Sequence, residues 1–172
     1  MSKAEAEAAR LRATYSDGIL PVPVEDIAKK LGVPIVVETL DRNVSGLLFR
    51  QGDSRAIGVN AIHPMVRQRF TIAHELGHLR LHPGKELFLD HVRVNLRDDV
   101  SSLGTDREER EANAFAAELL MPRADVTSEV RRVLDRGGVA DSRFIADLAL
   151  LFDVSEQAMD FRLVNLGLRR QI

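Results

Sequence analysis

Cysteine and tryptophan are absent from this chain of 172 residues, and it contains a single tyrosine. Without cysteine no disulfide can form, which suits a reducing compartment, and any transition metal has to be bound through nitrogen and oxygen atoms. With so few large aromatic residues, the chain has little with which to stack the bases of single-stranded nucleic acid. These absences point away from a secreted disulfide scaffold and from a base-stacking protein.

Long apolar runs and an excess of basic charge are missing as well. No apolar stretch reaches the ~18–20 residues that span a bilayer, and the N-terminus, MSKAEAEAARLRAT, is typical of an amphipathic helix rather than a signal peptide. The 24 basic residues are outnumbered by 26 acidic ones, whereas proteins that wrap nucleic acid usually carry a basic excess. We expect a cytoplasmic protein that binds neither membranes nor nucleic acid directly.

The residues that are present predict an α+β fold. Helices are expected in AEAEAARLRA and in PVEDIAKKLG, where Gly32 ends the helix. VPIVVETL, VSGLLFR and RAIGVN are typical of short strands, and the turn QGDS should join the last two into a hairpin. His63 and Pro64 open a further helix, which should end near His82.

The second half is predicted to be mainly helical. KELFLDHVRVNL alternates apolar and polar residues, which indicates an extended segment. RDDVSSLGTD indicates a loop, with Thr105 or Asp106 as the N-cap of the next helix. That helix, REEREANAFAAELLM, should end at Pro122, and the remaining residues are typical of further helices that finish with helix, short turn, helix. We predict a domain over residues 1–122 and a small helical subdomain over 123–172.

Three of the five histidines are concentrated in RFTIAHELGHLRLH, at positions 74, 78 and 82. The segment from His74 to His78 matches H-E-x-x-H, in which two imidazoles one helical turn apart can reach one Zn²⁺ ion at ~2.0–2.1 Å. Glu75 lies just to one side, where its carboxylate can contact a water on the metal and act as a general base. A helical wheel places these side chains and Thr71 in one narrow polar arc, opposite a wide apolar face.

A catalytic zinc site needs a third protein ligand. His82 lies roughly 12 Å along the helix axis from His74, which is too far to share one ion. We interpret it as a residue that interacts with the last carbonyls of its helix. Acids of the later helix remain as candidates. Glu108 and Glu109 flank its apolar face while Glu111 points away, and geometry alone does not choose between the first two.

Single residues and short segments support further expectations. Gly77 costs its helix roughly 1 kcal/mol relative to alanine, so we expect its small size to admit the close approach of another element. His63 and His91 are interpreted as surface residues of a loop or strand. The strand around residues 56–59 is expected to pair with an extended substrate segment by β-addition. For oxyanion stabilisation no side chain is assigned; His82, His91 and several arginines are candidates.

RFTIAHELGHLRLH and the later EREANAFAAELLMP together closely resemble the ImmA/IrrE family of metallopeptidases. IGVN and FDVSEQAMDFRLVNLGL are similar too, so the resemblance extends from about residue 21 onward. It implies a minimal zincin-like peptidase domain, with a small and mainly antiparallel sheet plus active-site helices, followed by a helical, helix-turn-helix-like C-terminal subdomain. The family's E-x-x-A-N pattern implies Glu109 as the third ligand, with Asn113 orienting a ligating histidine.

The resemblance also implies a reaction and a substrate. Family members are zinc-dependent endopeptidases that cleave a helix-turn-helix repressor of the Cro/CI type and thereby relieve transcriptional repression. Radiation-response members carry an additional C-terminal sensor domain, whereas this chain ends at Ile172 and resembles the short members found in mobile elements. We predict that His74, His78 and Glu109 bind Zn²⁺, for which Mn²⁺ or another divalent ion could substitute, and that Glu75 is the catalytic base.

Two other functions fit parts of the sequence. The chain could bind a repressor or antitoxin without cutting it, with a structural metal, or it could bind DNA through its terminal helices. DNA binding is disfavoured because residues 123–172 contain eight arginines and eight acids. The last helix offers only Arg162 beside Glu156 and Asp160, whereas recognition helices present more basic and amide groups. We expect these helices to pack or to dock a protein partner.

Overall fold

The computed structural model describes residues 1–16, 18–83, 87–91, 103–135 and 142–169, with the backbone alone for 87–91 and 103–106. Together these residues form the elements α1 (Lys3–Tyr15), α2 (Val24–Lys30), β1 (Ile35–Glu38), β2 (Val44–Gln51), β3 (Ser54–Asn60), α3 (Met65–Leu81), β4 (Leu87–His91), α4 (Leu103–Leu120), α5 (Arg123–Asp135), α6 (Ser142–Phe152) and α7 (Glu156–Asn165). The predicted α+β class is confirmed. Among the helices of these residues, none is both long enough and apolar enough to cross a membrane.

The two N-terminal helices form where the composition predicts them. Ser2 is the N-cap of α1: its hydroxyl accepts a hydrogen bond from the Glu5 backbone N–H, and the Glu5 carboxylate accepts one from the Ser2 N–H. After α2, Gly32 has a φ of +70°, a left-handed conformation that glycine adopts without strain. The predicted stop is therefore present, and the chain turns there into β1.

The four strands form one mixed sheet in the order β1-β3-β2-β4. Strands β2 and β3 form the predicted antiparallel hairpin, β4 pairs antiparallel with β2, and β1 pairs parallel with β3. The expectation of a mainly antiparallel sheet is confirmed. The proposal of β-addition at residues 56–59 is wrong, because these residues lie in β3 and both sides of β3 are already paired. Of the predicted extended segment, Leu87–His91 form β4 and the rest lies outside the described residues.

Helix α3 packs against β2 and β3 and begins and ends where the sequence predicts. Its residues Ile72, Ala73 and Leu76 are buried in the core. At its C-terminal end, Arg50 of β2 donates hydrogen bonds to the carbonyl oxygens of His82 and His78, at 2.6 and 2.7 Å. A strand side chain thus adds hydrogen bonds to the carbonyls at the end of the helix, of which that of His78 also accepts from the backbone N–H of His82 at 3.0 Å.

Helix α4 packs against both α3 and α1. It begins at Leu103, so the predicted N-cap at Thr105 or Asp106 is wrong, since both residues lie within the helix. A cap preference of ~1 kcal/mol is small beside the packing of a long helix on two neighbours. Contact with α3 is close at Gly77, where a Cβ would lie 3.1 Å from the Cα of Ala112. The close approach expected at this glycine is confirmed.

The terminal helices α6 and α7 form the predicted helix, short turn, helix. Arg162 of α7 is buried; its Nε donates to the carbonyl oxygen of Met121 at 2.9 Å, and its guanidinium pairs with Glu118 of α4. These contacts fasten the last helix to the end of α4, as the expectation of a packing role requires. The division of the chain into two units stays a prediction.

Candidate metal centre

The H-E-x-x-H segment of α3 lies inside the protein. His74, Glu75 and His78 are 3%, 0% and 1% exposed, respectively. Ionisable side chains are seldom buried this completely unless they are paired or bind a metal. One helical turn separates the two histidines, and their ring centroids are 4.7 Å apart. The polar stripe predicted from the helical wheel is therefore an interior feature.

Three donor groups from two helices converge next to this segment. The Nε2 atoms of His74 and His78 are 3.0 Å apart, and the Glu109 carboxylate oxygens lie 3.4 Å from the first and 3.2 Å from the second. Ligand atoms ~2.0–2.1 Å from a tetrahedral zinc ion are ~3.4 Å from one another. Two imidazole nitrogens and one carboxylate at these separations fit such an ion.

Glu109 belongs to this group, whereas Glu108, the alternative left open by geometry, does not. Burial raises the pKa of Glu109, but the close approach of the His74 and His78 rings lowers it by more, so the pKa lies well below its usual range. Burial is also the largest effect on His78, whose pKa is lowered. An ionised carboxylate and a neutral imidazole are the forms that bind metals.

Asn113 fixes the orientation of His74. Its Oδ1 lies 3.0 Å from Nδ1 of His74, and because an amide oxygen only accepts, the ring nitrogen donates. The hydrogen-bond network therefore assigns the tautomer in which Nε2 of His74 is unprotonated and faces the other donors. The contact that the family pattern implied for Asn113 is present.

His82 makes the corresponding contact with His78. Its Nε2 lies 3.0 Å from the Glu111 carboxylate, and its Nδ1 lies 3.1 Å from Nδ1 of His78. Because a carboxylate only accepts, a neutral His82 is protonated on Nε2 and accepts through Nδ1. His78 then donates from Nδ1 and leaves its Nε2 unprotonated. Arg107 binds the other oxygen of Glu111, with its Nε at 2.9 Å.

The interpretation of the His82 side chain as a partner of the last helix carbonyls is wrong. Only its backbone N–H reaches one, the carbonyl oxygen of His78 at 3.0 Å, while the imidazole contacts the His78 ring. Glu111 does point away from the donor group, as predicted, but its contact with His82 was missed. The i, i+4 spacing of the two histidines could have indicated their contact, whereas Glu111 is brought there by the packing of α4 on α3.

Glu75 is buried beside strand β2. A Cβ at Gly46 would be in ordinary contact with Oε1 of Glu75, at 3.5 Å, but would lie 2.3 Å from Cγ2 of Thr71, so α3 packs this closely on β2 because the strand carries a glycine there. Burial lowers the pKa of nearby Arg50, while the charge of Glu75 raises it by less. Sequence reasoning missed Gly46 and Arg50, since both act across the strand–helix interface.

Of the two remaining histidines, only His63 has a described side chain, and it does not belong to the donor group. His63 lies in the loop before α3, as expected, but it is partly buried rather than fully on the surface, and burial lowers its pKa. His91 is the last residue of β4, and its side chain lies outside the described part of the chain. The residue that stabilises an oxyanion therefore stays unassigned.

The donor group borders a cavity of about 660 Å³ between α3, α4 and α7. His74, Glu109 and Asn113 form part of the cavity wall, and side chains of α7 form another part. The volume lies within the ~300–1,000 Å³ typical of ligand pockets. Of the two terminal helices, interpreted from sequence as packing or docking elements, α7 thus also borders the site.

Comparisons with known proteins identify two kinds of similarity. The chain matches the Peptidase_M78 family, described as the IrrE N-terminal-like domain, over residues 28–164. It is also similar to Uncharacterized immunity region protein 2 of Bacillus phage phi105, with 26% identity over 132 residues, which cover 76% of this chain and 79% of the phage protein. The family match includes both motifs, so the resemblance drawn from them is confirmed.

Proposed function

Because this chain belongs to the Peptidase_M78 family of IrrE N-terminal-like domains, we propose that it is a metal-dependent endopeptidase. The observation that carries the proposal is the convergence of His74, His78 and Glu109, whose donor atoms all lie within 4.8 Å of one another. Glu75 is buried next to them on the same helix. The cavity that borders His74 and Glu109 offers space for a peptide.

His74, His78 and Glu109 would hold the metal, and Zn²⁺ is the ion that two imidazoles and one carboxylate suit best. When bound, such an ion polarises a carbonyl oxygen and lowers the pKa of water. The lowered pKa values of Glu109 and His78 keep these side chains in the forms that bind a cation at neutral pH. Mn²⁺ or another divalent ion would satisfy the same donors, because affinity alone discriminates poorly among them.

Glu75 is the proposed general base and acid. Its carboxylate takes a proton from the attacking water while the water oxygen bonds to the scissile carbonyl carbon. It then returns the proton to the leaving amine as the C–N bond breaks. Glu75 is fully buried, and a positioned base of this kind contributes ~10²–10⁴-fold to a rate.

The proposed substrate is a helix-turn-helix repressor of the Cro/CI type, whose cleavage would relieve repression. Two observations support this substrate: the motifs resemble those of ImmA/IrrE peptidases, and the phage relative is named for an immunity region. The net charge of −2 favours a protein substrate over direct contact with DNA.

The test is incubation with a helix-turn-helix repressor encoded beside this gene, followed by mass spectrometry of the intact repressor. The zinc-loaded protein should cut the repressor at a defined bond. Glu75→Gln should retain zinc but cut ~10²–10⁴-fold more slowly. Glu109→Gln should lose zinc, whereas Glu108→Gln, the matched change on the neighbouring residue, should keep both zinc and activity.

Other outcomes would support the alternatives. If the wild-type protein binds zinc and the repressor but leaves the repressor intact, the chain is a regulatory binding module with a structural metal. If the purified protein binds no divalent ion, the peptidase proposal fails. Salt-dependent binding to duplex DNA would instead support a DNA-binding regulator.

A further inference from the structure

We propose that the cavity beside the donor group is a specificity pocket, which binds a bulky apolar side chain such as Leu, Met or Phe next to the cleaved bond. This inference rests on the proposed peptidase function and adds the class of peptide that the site accepts. With about 660 Å³, the cavity has room for a large side chain together with part of its backbone.

Apolar side chains from three parts of the fold line this pocket. They come from α3, from α4 and from the C-terminal turn and helix: Val66, Phe70, Ala117, Val154, Ala158 and Phe161. Phe161 is 55% exposed although it is a large apolar residue. A guest side chain would remove apolar surface of its own and of Phe161 from water, which is favourable in proportion to the area covered. The alanines add little bulk and leave the space open.

Charged groups of the wall are engaged with other side chains. Arg162 is 4% exposed and pairs with Glu118, and Arg67 donates from Nη2 to the Ser45 hydroxyl at 3.1 Å. Glu109 is held by the two histidines of the donor group. A cationic guest would lose hydration without gaining a dedicated partner, which is strongly unfavourable. An anionic guest would gain only Arg67, whose side chain is exposed to water and whose ion pairs therefore contribute little. An apolar guest incurs no such loss.

The position of the pocket places its guest next to the reaction. His74 and Glu109 belong both to the donor group and to the pocket wall, whereas His78 and Glu75 do not line the pocket. When a substrate side chain binds in this pocket, the peptide group of the same residue lies next to His74 and the other metal-binding side chains. Positioning of this kind is a large part of catalysis. Ala158, on the α7 wall, is therefore a specificity-determining residue.

Binding can be measured separately from cleavage. The experiment is an NMR titration of full-length Glu75→Gln protein, with and without Zn²⁺, using acetylated pentapeptide amides that differ only in a central Leu, Phe, Ala or Asp. Peptides with Leu or Phe should shift the amide resonances around Ala117 and Phe161. They should bind ~10-fold or more tightly than the others, since pocket methylenes are worth ~10–200-fold. Equal affinities, or no binding by any peptide, would overturn the inference.

Substitutions of residues that line the pocket test whether the peptide binds there. Ala158→Leu should fill the space and weaken the Leu peptide by ~10-fold. Phe161→Ala should also weaken it, and removal of this exposed side chain leaves the core intact. The matched control is Leu150→Ala on α6, where an apolar residue is 79% exposed and does not line the pocket. Unchanged binding by both pocket variants would show that the peptide binds elsewhere.

A cleavage assay with the zinc-loaded wild-type protein and the same peptides separates the two proposals. Selective binding of Leu and Phe peptides without any cleavage, of these peptides or of the repressor, would sustain the pocket and contradict the peptidase function. Cleavage at equal rates whatever the central residue would sustain the peptidase function and contradict the pocket. Preferred cleavage beside Leu or Phe, reduced in Ala158→Leu, is the result expected if both hold.

Discussion

Replacing His82 by alanine should weaken the binding of Zn²⁺, although His82 is not one of the three donors. Its Nδ1 lies 3.1 Å from Nδ1 of His78, and its Nε2 lies 3.0 Å from the Glu111 carboxylate. These two contacts keep the proton of His78 on Nδ1 and leave Nε2 unprotonated toward the other donors. Without His82, this selection of tautomer and ring orientation is lost.

The size of the effect follows from the contact that is removed. A hydrogen bond contributes a net ~0.5–1.5 kcal/mol to stability. Mutation of a residue that hydrogen-bonds to a metal ligand typically weakens metal affinity by ~10–100-fold. The second range equals ~1.4–2.8 kcal/mol. The His82 side chain is only 11% exposed, so water replaces it poorly, and we expect a loss near the middle of the range, about 30-fold.

Competition with a chromophoric chelator measures the Kd for Zn²⁺, and the absorption spectrum of a Co²⁺-loaded sample reports the donor geometry. Glu111→Gln should cause a smaller loss, because an amide oxygen can still accept from His82. His63→Ala is the matched control, since it removes a histidine outside the donor group. If His82→Ala keeps its helical circular dichroism and changes the Kd by less than about threefold, a free-energy difference under ~0.7 kcal/mol, the reasoning is wrong.

Three further predictions concern packing and pH. Gly77→Ala should gain ~1 kcal/mol of helix propensity but lose up to ~3 kcal/mol by overpacking, because the atom 3.1 Å away belongs to the backbone of Ala112. Urea unfolding should show a stability lower by about 2 kcal/mol and zinc titration weaker binding, and no change in either would contradict this. Gly46→Ala should cost ~3 kcal/mol because its Cβ would lie 2.3 Å from Cγ2 of Thr71; the cost should fall by at least ~1 kcal/mol in a Thr71→Ser background, and equal costs in both backgrounds would disprove the clash. Burial raises the pKa of Glu7, but two arginines lower it by more, so its ionised form stabilises the fold above pH 4.5 and this stabilisation is lost as pH falls through the folded pKa. The wild type should therefore exceed Glu7→Gln by ~1 kcal/mol at pH 7, and urea midpoints should converge in acid.

Much of the local structure could be predicted from the sequence, because its signals lie within a few residues. Gly32 ends α2, and the hairpin of β2 and β3 forms around its predicted turn. Helix α3 follows Pro64 and ends before His82, as predicted. The positions of the three metal-binding candidates could also be predicted from the sequence. The spacing of His74 and His78 is a property of one helix, and the family pattern singled out Glu109 where geometry left two acids open.

What could not be predicted depends on contacts between elements. β3 lies inside the sheet because it pairs with β1 as well as with β2. No local sequence pattern predicts the pairing of β1 with β3. Glu111 reaches His82 only because α4 packs on α3 at the distance that Gly77 permits. The room for the Thr71 side chain beside Glu75 likewise depends on Gly46, which lies 25 positions before Thr71 in the chain, on β2.

The donors come from α3 and α4, whereas much of the pocket's apolar wall comes from the ten residues of α7 and the turn before it. Under the proposed function, reaction chemistry and choice of target would be encoded in separate stretches of the chain. Such a division would suit an evolutionary contest with a changing substrate. Substitutions confined to α7 could follow alterations around the cleaved bond, while the donor residues and Glu75 stay constant.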